Sequence, residues 1–134
     1  MLVDTSVWVD FLNGYESAYA NRLAQGIANG ESISVPGLVL TEVLLGLGSD
    51  AQAAKISGLM TAFKSVAEMQ LCDYEQAAGL YRLCRAKGIS VRSTIDCLIA
   101  QMCLRDGLPL LTKDRDFTGI ANCTNLQLVD VTHQ

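Results

Sequence analysis

The sequence predicts an α/β fold: a three-layer α/β/α domain around a central parallel sheet of four or five strands. Short apolar runs alternate along the chain with longer segments of helical periodicity, and strands joined by helical crossovers run parallel with helices on both faces. Half of the residues are hydrophobic and 18% are charged, as in compact globular proteins. The length of 134 residues fits one domain, which we expect to span residues 1–134.

The helices and strands predicted for the first half of the chain follow from apolar periodicity and from capping residues. In order, its predicted elements are a strand at Leu2–Asp4, helices at Val7–Leu12 and Ser17–Asn29, a strand at Ser32–Val35, and helices at Pro36–Gly46 and about Ala51–Lys64. Thr5 or Ser6 can cap the first helix, and Gly30 suits the end of the second. Pro36 fits the first turn of the third helix, where its missing amide would be unsatisfied anyway.

The second half continues the alternation. Its predicted elements are an extended stretch at Val66–Leu71, helices at Tyr74–Lys87 and Ser93–Asp106, a strand at Leu108–Leu111, a short helical turn at Phe117–Ala121 and a strand at Leu126–Val131. Asp73 is the predicted cap of the first of these helices, and Gly88 ends it. The helix that Ser93 opens is the most hydrophobic, with a broad apolar face.

Composition excludes several classes of protein. Every apolar stretch is interrupted well before the roughly 20 residues that cross a bilayer, and the start of the chain lacks the basic region of a secretory signal, so we expect a cytoplasmic protein. The cysteines are odd in number and include no C-x-x-C pair, which favours buried free thiols over disulfides or zinc. They are Cys72, Cys84, Cys97, Cys103 and Cys123. The single histidine, His133, lies next to the carboxyl terminus and is a poor candidate for a general base.

Four acids do not fit a purely structural interpretation. On a helix, the neighbours of Glu42 three and four residues away are all apolar, and Asp96 lies in the most hydrophobic helix; an ionised acid is costly to bury without compensation. Asp4 and Asp114 each follow an apolar strand, where ligand sites of open α/β sheets lie. If they converge, their mutual repulsion calls for a hard divalent cation, Mg²⁺ or Mn²⁺.

Each acid also has an ordinary alternative. The helix of Glu42 can be rolled toward solvent, and Asp96 can be a first-turn acid favoured by the helix dipole or by a capping box with Ser93. Asp4 can begin a turn, and Asp114 with Asp116 can belong to a solvated loop. The formal charge of −4 argues against broad attraction to nucleic acid, unless bound cations reverse the local field. Such cations can clamp a phosphodiester for in-line attack without any histidine.

These residues lie in four blocks that resemble PIN-domain ribonucleases, the toxins of the VapC type in toxin–antitoxin systems. The blocks are Asp4–Leu12, Leu40–Val43, Arg92–Ala100 and Leu110–Phe117. The resemblance covers nearly the whole chain and implies an Mg²⁺- or Mn²⁺-dependent endoribonuclease that cuts RNA phosphodiester bonds. It implies metal binding by Asp4, Glu42, Asp96 and Asp114, with Asp116 as a further catalytic acid.

The resemblance also implies supporting residues and partners. Thr5, Ser6 and Thr112 would support the acids by hydrogen bonding, while Arg92, Lys113 and Arg115 would contact RNA or remain ordinary solvated charges. The implied partners are a VapB-type antitoxin and a second copy of the chain. Contact surfaces are expected near Trp8, Phe11 and Leu12 and near Leu44, Leu45 and Leu47, although core packing explains these residues equally well.

Two other functions are compatible with a small acidic α/β domain. A magnesium-dependent phosphatase of the haloacid-dehalogenase type would use Asp4 as a nucleophile, but it needs a second aspartate at position 6, where this chain has Ser6. A receiver-like regulatory domain would hold a metal without cleaving anything. Cleavage of RNA by the purified protein distinguishes both from a ribonuclease.

Overall fold

A computed structural model of the chain describes residues 1–131, so His133 lies outside the described residues. The described part is rich in helix and contains a two-stranded parallel sheet. The strands are β1 (Leu2–Val3) and β2 (Leu110–Leu111). The helices are α1 (Thr5–Leu12), α2 (Ala18–Ala28), α3 (Gly37–Leu45), α4 (Asp50–Met60), α5 (Leu71–Ala86), α6 (Thr94–Asp106) and α7 (Asp116–Cys123). Among the described helices, none has the length and apolar character that crossing a membrane requires.

Contacts divide the described chain into two compact units. The first unit comprises Met1–Val66 and Leu111–Lys113, together with the described residues from Asp130 on. The second comprises Ala67–Leu110 and Asp114–Val129. The boundary between them falls inside β2, and the chain returns to the second unit at Asp114.

The first unit packs four helices beside a strand. Helix α1 packs against α2 and α3, and α3 packs against α4. Trp8 of α1 is 1% exposed and lies edge-on to Phe63, with ring centroids 5.2 Å apart. Strand β1 bridges in parallel to Ser34, which in turn bridges to Lys64. The buried aromatic contact and these backbone bridges anchor the start of α1, where Asp4 lies.

The second unit is built on three helices, because α5, α6 and α7 pack against one another. At its edge, Leu110 bridges in parallel to Leu128. Asp73, near the start of α5, accepts bonds from Arg105 Nη1 at 2.9 Å and from Gln101 Nε2 at 3.3 Å. Hydrogen bonding to the backbone amide of Gln70 and to Arg105 lowers the pKa of Asp73. The charge of this buried acid is therefore compensated inside the unit.

Strand predictions are confirmed only in part. Two predicted strands, Ser32–Val35 and Leu126–Val131, form bridges at only one residue each, Ser34 and Leu128. The stretch Val66–Leu71 contains no strand. A strand forms only where partner backbones satisfy its amides and carbonyls over several residues, and apolar character alone does not indicate how long that pairing continues.

Helix boundaries differ from the predictions at four places. Helix α1 begins at Thr5, and Asp4 is its N-cap residue in place of Thr5 or Ser6, because the backbone is already helical at both of the predicted caps. Helix α5 begins at Leu71 with Gln70 as its cap, and Asp73 accepts the Gln70 amide at 2.9 Å from inside the first turn. Pro36 is the cap of α3 and precedes its first turn. Helix α4 ends at Met60, before Lys64, because Lys64 donates its amide to Ile33 instead.

The five cysteines are all free. Cys84, Cys97 and Cys103 are buried as predicted, whereas Cys123 is half-buried and Cys72 is exposed, since position 72 falls on the outer side of α5. Burial raises the pKa of Cys84 to about 11. It also raises the pKa of Cys97. These two side chains are therefore neutral thiols near pH 7 and are poor nucleophiles.

Candidate metal centre

Asp4 lies at the end of β1, where it is the N-cap residue of α1. Its amide donates to the carbonyl of Leu111 at 3.0 Å, which joins β1 to β2. As a residue, Asp4 is 5% exposed. Ser6 Oγ donates to Asp4 Oδ2 at 2.8 Å, and the hydroxyl of Thr112 donates to the same oxygen at 2.5 Å. Two hydroxyl groups therefore hold one carboxylate oxygen and leave the other to a different partner.

Glu42 is a half-buried acid on α3. Thr5 Oγ1 donates to Glu42 Oε1 at 3.0 Å. The packing of α1 against α3 makes this bond possible, because Thr5 is the first residue of α1. Asp4 and Glu42 are thus held by neighbouring hydroxyl residues, and both belong to the first unit.

Three other acids come together in the second unit. Asp96 lies in the first turn of α6, Asp116 is the first residue of α7, and Asp114 lies two residues before it. One carboxylate oxygen from each lies within 4.8 Å of the other two. Asp96 is buried, Asp116 is half-buried and Asp114 is exposed. The amide of Asp116 donates to Asp114 Oδ1 at 3.0 Å, which orients that carboxylate.

The donor set of this second group fits a hard divalent cation. Three carboxylates so close together repel one another, and oxygen ligands are those that Mg²⁺ prefers. Among the described residues this is the one group of histidine, cysteine, aspartate and glutamate side chains close enough to hold an ion together. Nitrogen or sulfur ligands, which zinc favours, are absent from the group.

The predicted site residues therefore occupy two groups. The first contains Asp4, Glu42, Thr5, Ser6 and Thr112, and the predicted hydrogen bonds to the acids are present. The second contains Asp96, Asp114 and Asp116. Their joint role in metal binding and catalysis stays a prediction. Arg92 and Arg115 are exposed, and Arg115 is the N-cap residue of α7.

Sequence reasoning missed the partner of Lys113. Its ammonium lies 2.8 Å from both carboxylate oxygens of Asp10. Ser17 Oγ also donates to Asp10 at 3.1 Å. The Lys113 ammonium, followed by Ser17, lowers the pKa of Asp10 against the effect of burial. The sequence does show that Asp10 is an acid close to the apolar residues Val7 and Trp8 on the same helix. It does not show that the partner of Asp10 is a lysine 103 residues away.

Comparison with known proteins shows which family the chain belongs to. The model of the PIN domain family matches residues 1–122. VapC ribonuclease Mb1587 of Mycobacterium bovis is 33% identical over 128 residues, covering 95% of this chain and 96% of the relative. Ribonuclease VapC11 of Mycobacterium tuberculosis has the same identity and coverage.

A solved structure, that of VapBC2 from Rickettsia felis bound to a DNA fragment from their promoter, has the same fold. It superposes with a TM-score of 0.74 at 19% identity, covering 96% of each chain. At 19% sequence identity, this similarity shows only that the fold is shared. The family model and the mycobacterial relatives, in contrast, match at the level of sequence and span almost the whole chain. This chain therefore belongs to the PIN domain family and, within it, to the VapC ribonucleases.

Proposed function

We propose that this chain is an Mg²⁺- or Mn²⁺-dependent endoribonuclease, the toxin of a toxin–antitoxin pair, that cleaves RNA phosphodiester bonds. The observation that carries the proposal is the cluster of Asp96, Asp114 and Asp116 within 4.8 Å in a chain whose relatives are named ribonucleases. Three carboxylates so close are unfavourable without a cation. A bound divalent cation supplies electrostatic stabilisation of the phosphodiester and activation of a water molecule.

We propose further that Asp4, Glu42, Asp96 and Asp114 hold the metal together. The match of the family model over residues 1–122, which include all four acids, supports this set. Asp116 would be a helper that donates its amide to Asp114 and adds a fifth carboxylate to these four.

The hydroxyl groups would then orient the acids. With Oδ2 of Asp4 bonded to Ser6 and Thr112, Oδ1 is the oxygen that can turn to a cation. Thr5 holds Oε1 of Glu42 in the same way. Hydrogen bonds from surrounding groups hold metal-binding carboxylates in place and typically change metal affinity or activity about 10–100-fold.

The substrate would be bound through its phosphates. Arg92 and Arg115 are exposed and stand close in sequence to Asp96 and Asp114, so both are proposed as phosphate contacts. The ammonium of Lys113 is bonded to Asp10, and an RNA contact by this residue would compete with that ion pair. Because the chain carries a net charge of −4, the bound cation would supply part of the attraction to RNA.

A VapB-type antitoxin is the proposed partner, and a homodimer the proposed state of the toxin. Relatives of known structure are VapBC complexes, which supports the antitoxin. Of the surfaces expected from the sequence, Leu45 on α3 is 79% exposed, whereas Trp8 is 1% exposed and belongs to the core. The region of Leu45 is therefore the better candidate for a contact surface. The cytoplasm is the proposed location.

The two units are proposed to be parts of one PIN domain spanning residues 1–134, since the family model runs through both. The isolated bridges at Ser34, Lys64 and Leu128 are proposed to mark further strands of a four- or five-stranded sheet between two helical layers.

Cleavage of RNA tests the proposal. The purified chain is incubated with total RNA and Mg²⁺ or Mn²⁺, with and without excess EDTA, beside the Asp4→Asn and Asp96→Asn variants. Asp50→Asn is the matched control, because Asp50 is an exposed acid in the first turn of α4. We expect metal-dependent cleavage by the parent and control chains and a loss of at least about 100-fold in the two site variants.

The outcome that would overturn the proposal is the absence of metal-dependent cleavage by the folded parent chain. Equal cleavage by the Asp96→Asn variant would instead exclude this acid from the centre. A phosphate monoester tested in parallel addresses the phosphatase alternative, and we expect no turnover of it.

A further inference from the structure

Asp10 is a buried acid that the proposed chemistry does not use. It is 7% exposed and lies on the second turn of α1. Its carboxylate accepts bonds from Lys113 at 2.8 Å to each oxygen and from Ser17 at 3.1 Å. Ser17 also caps α2 by accepting the amide of Ala20. Asp10 is therefore held by its own place on α1 and by Ser17, the residue that caps α2.

Lys113 is held at both ends. Its backbone amide donates to Ser6 Oγ at 3.3 Å, and its ammonium bonds to Asp10. The ammonium also lies 5.8 Å from the centre of the Tyr15 ring, a distance at which cation and ring attract each other. The amide of Tyr15 in turn donates to the carbonyl of Asp10. Lys113 is thus anchored to α1 and to the segment that follows it.

Lys113 is connected to the Asp4 carboxylate in two ways. Thr112, the neighbour of Lys113, donates its hydroxyl to Asp4 Oδ2. Ser6, which accepts the amide of Lys113, donates its own hydroxyl to the same oxygen. Both groups that hold the Asp4 carboxylate are therefore bonded to Lys113 or adjacent to it in the chain.

We propose that Asp10 is a positioning residue of the metal centre: through its ion pair with Lys113, it holds the hydroxyl groups of Thr112 and Ser6 against the Asp4 carboxylate. The proposal rests on the function proposed above, because it assumes that Asp4 binds a metal. Asp10 itself touches neither metal nor RNA. Its contribution is to restrict the segment of Thr112 and Lys113, so that Asp4 needs no reorganisation when the cation binds.

The burial of Asp10, whose partner Lys113 has a side chain that is 39% exposed, supports a positioning role over an ordinary surface ion pair. Exposed pairs of flexible side chains hold little geometry and contribute little, but Asp10 is buried and accepts bonds from two residues. A lysine that served mainly to attract phosphate would gain from a free ammonium. Here the ammonium bonds to both oxygens of one carboxylate.

Mn²⁺ binding without RNA tests the proposal directly. Isothermal titration with Mn²⁺ is carried out on the parent chain, on Asp10→Asn, on Lys113→Met and on the double variant, with Asp50→Asn as control. We expect Asp10→Asn and Lys113→Met each to weaken Mn²⁺ binding about tenfold. The double variant should be no weaker than either single one, because both act through the same contact. Asp50→Asn should bind as the parent does.

The RNA-cleavage kinetics of the same variants separate the roles. A positioning role lowers kcat at subsaturating Mn²⁺ and leaves KM for RNA nearly unchanged, with partial recovery at high Mn²⁺. A direct phosphate contact by Lys113 raises KM and leaves Mn²⁺ binding without RNA unaffected, which would overturn the proposal. Lys113→Arg keeps the charge and should recover most of the Mn²⁺ affinity.

Urea unfolding of each variant is an independent control that shows whether the variant is folded. If Asp10→Asn fails to fold, the double variant, which leaves no unpaired buried charge, carries the test. Unchanged Mn²⁺ affinity in the double variant would refute the positioning role. Failure of the parent chain to bind Mn²⁺ or to cleave RNA would refute the proposed function instead, so the two failures are distinguishable.

Discussion

Replacing Asp96 by Asn should make the metal-free protein more stable while removing its response to metal. Asp96, Asp114 and Asp116 each place one carboxylate oxygen within 4.8 Å of the others. Without a cation these charges repel one another, so the arrangement lowers the free energy of unfolding. Asn keeps the size of Asp96 and one acceptor oxygen but removes two of the three repulsive pairs.

The size of the effect follows from the distances. Two unit charges at the upper limit of 4.8 Å that separates these oxygens would repel by about 0.9 kcal/mol at the dielectric constant of water, so the two pairs would contribute about 1.7 kcal/mol. Against this, Asp96 is an acid in the first turn of α6, and losing its favourable interaction with the helix dipole costs about 0.3–1 kcal/mol. The net expectation is a gain of about 1 kcal/mol at low salt, which is roughly 4 °C in Tm.

Thermal unfolding in EDTA and in Mn²⁺ measures both effects. A ligand at about 100 times its Kd stabilises the folded state by about 2.7 kcal/mol, so Mn²⁺ should raise the Tm of the parent chain and leave that of Asp96→Asn nearly unchanged. Asp50→Asn, which loses a first-turn acid without relieving any such repulsion, should lose a few tenths of a kcal/mol in EDTA. An Asp96→Asn variant that is clearly less stable than the parent in EDTA, or that responds equally to Mn²⁺, would refute the reasoning.

Three further changes test the packing and the charge network. Trp8→Ala should lower the free energy of unfolding by about 3–5 kcal/mol. Trp8→Phe should lower it by less than about 1.5 kcal/mol, because this change also removes a buried indole N–H that has no acceptor among the described residues. Equal losses for the two variants in urea unfolding would contradict this. Gly119→Ala on α7 should destabilise the protein by about 1–3 kcal/mol, since the added Cβ would lie 2.7 Å from Cγ2 of Ile89. Gly79→Ala on α5, where the added Cβ would have no neighbour within 4 Å, should stabilise the protein by about 0.5–1 kcal/mol. The opposite order of the two melting temperatures would be evidence against this packing. The folded-state pKa of Asp73 lies below its ordinary value of 3.8, so its stabilisation is present above about pH 4 and is lost as the pH falls through the lowered pKa. Asp73→Asn should therefore be less stable than the parent chain at pH 7, and the difference should shrink as the pH is lowered below about 4. A difference in urea midpoint that stayed constant with pH would count against this contribution.

The helices were predictable because their signals are local. Ser17 and Ser93 precede α2 and α6 as caps, and Gly107, which ends α6, has a φ of 64°, a conformation that glycine adopts without strain. The strands were less predictable. Ser32–Val35 has the apolar character of a strand, but only Ser34 bridges to neighbours, because strand pairing depends on the positions of other segments rather than on its own residues.

The acids illustrate the same division. Glu42 and Asp96 stood out because their neighbours in sequence are apolar, and the hydroxyl groups of Thr5 and Ser6 were predictable beside Asp4. The partner of Lys113 was not predictable. From the sequence, a lysine in a loop of mixed charge is interpreted as solvated or as a phosphate contact. Its bond to Asp10 could not be predicted, because the two residues are 103 positions apart in the chain.

The helices, the family and the candidate acids can be inferred from the amino-acid sequence, since periodicity, caps and motifs are properties of residues near one another in the chain. The folded structure was needed to show that Asp96 lies close to Asp114 and Asp116, that Lys113 forms an ion pair with Asp10, and that Leu45 is exposed while Trp8 is buried. These contacts join segments far apart in the chain, and their formation depends on how whole helices pack.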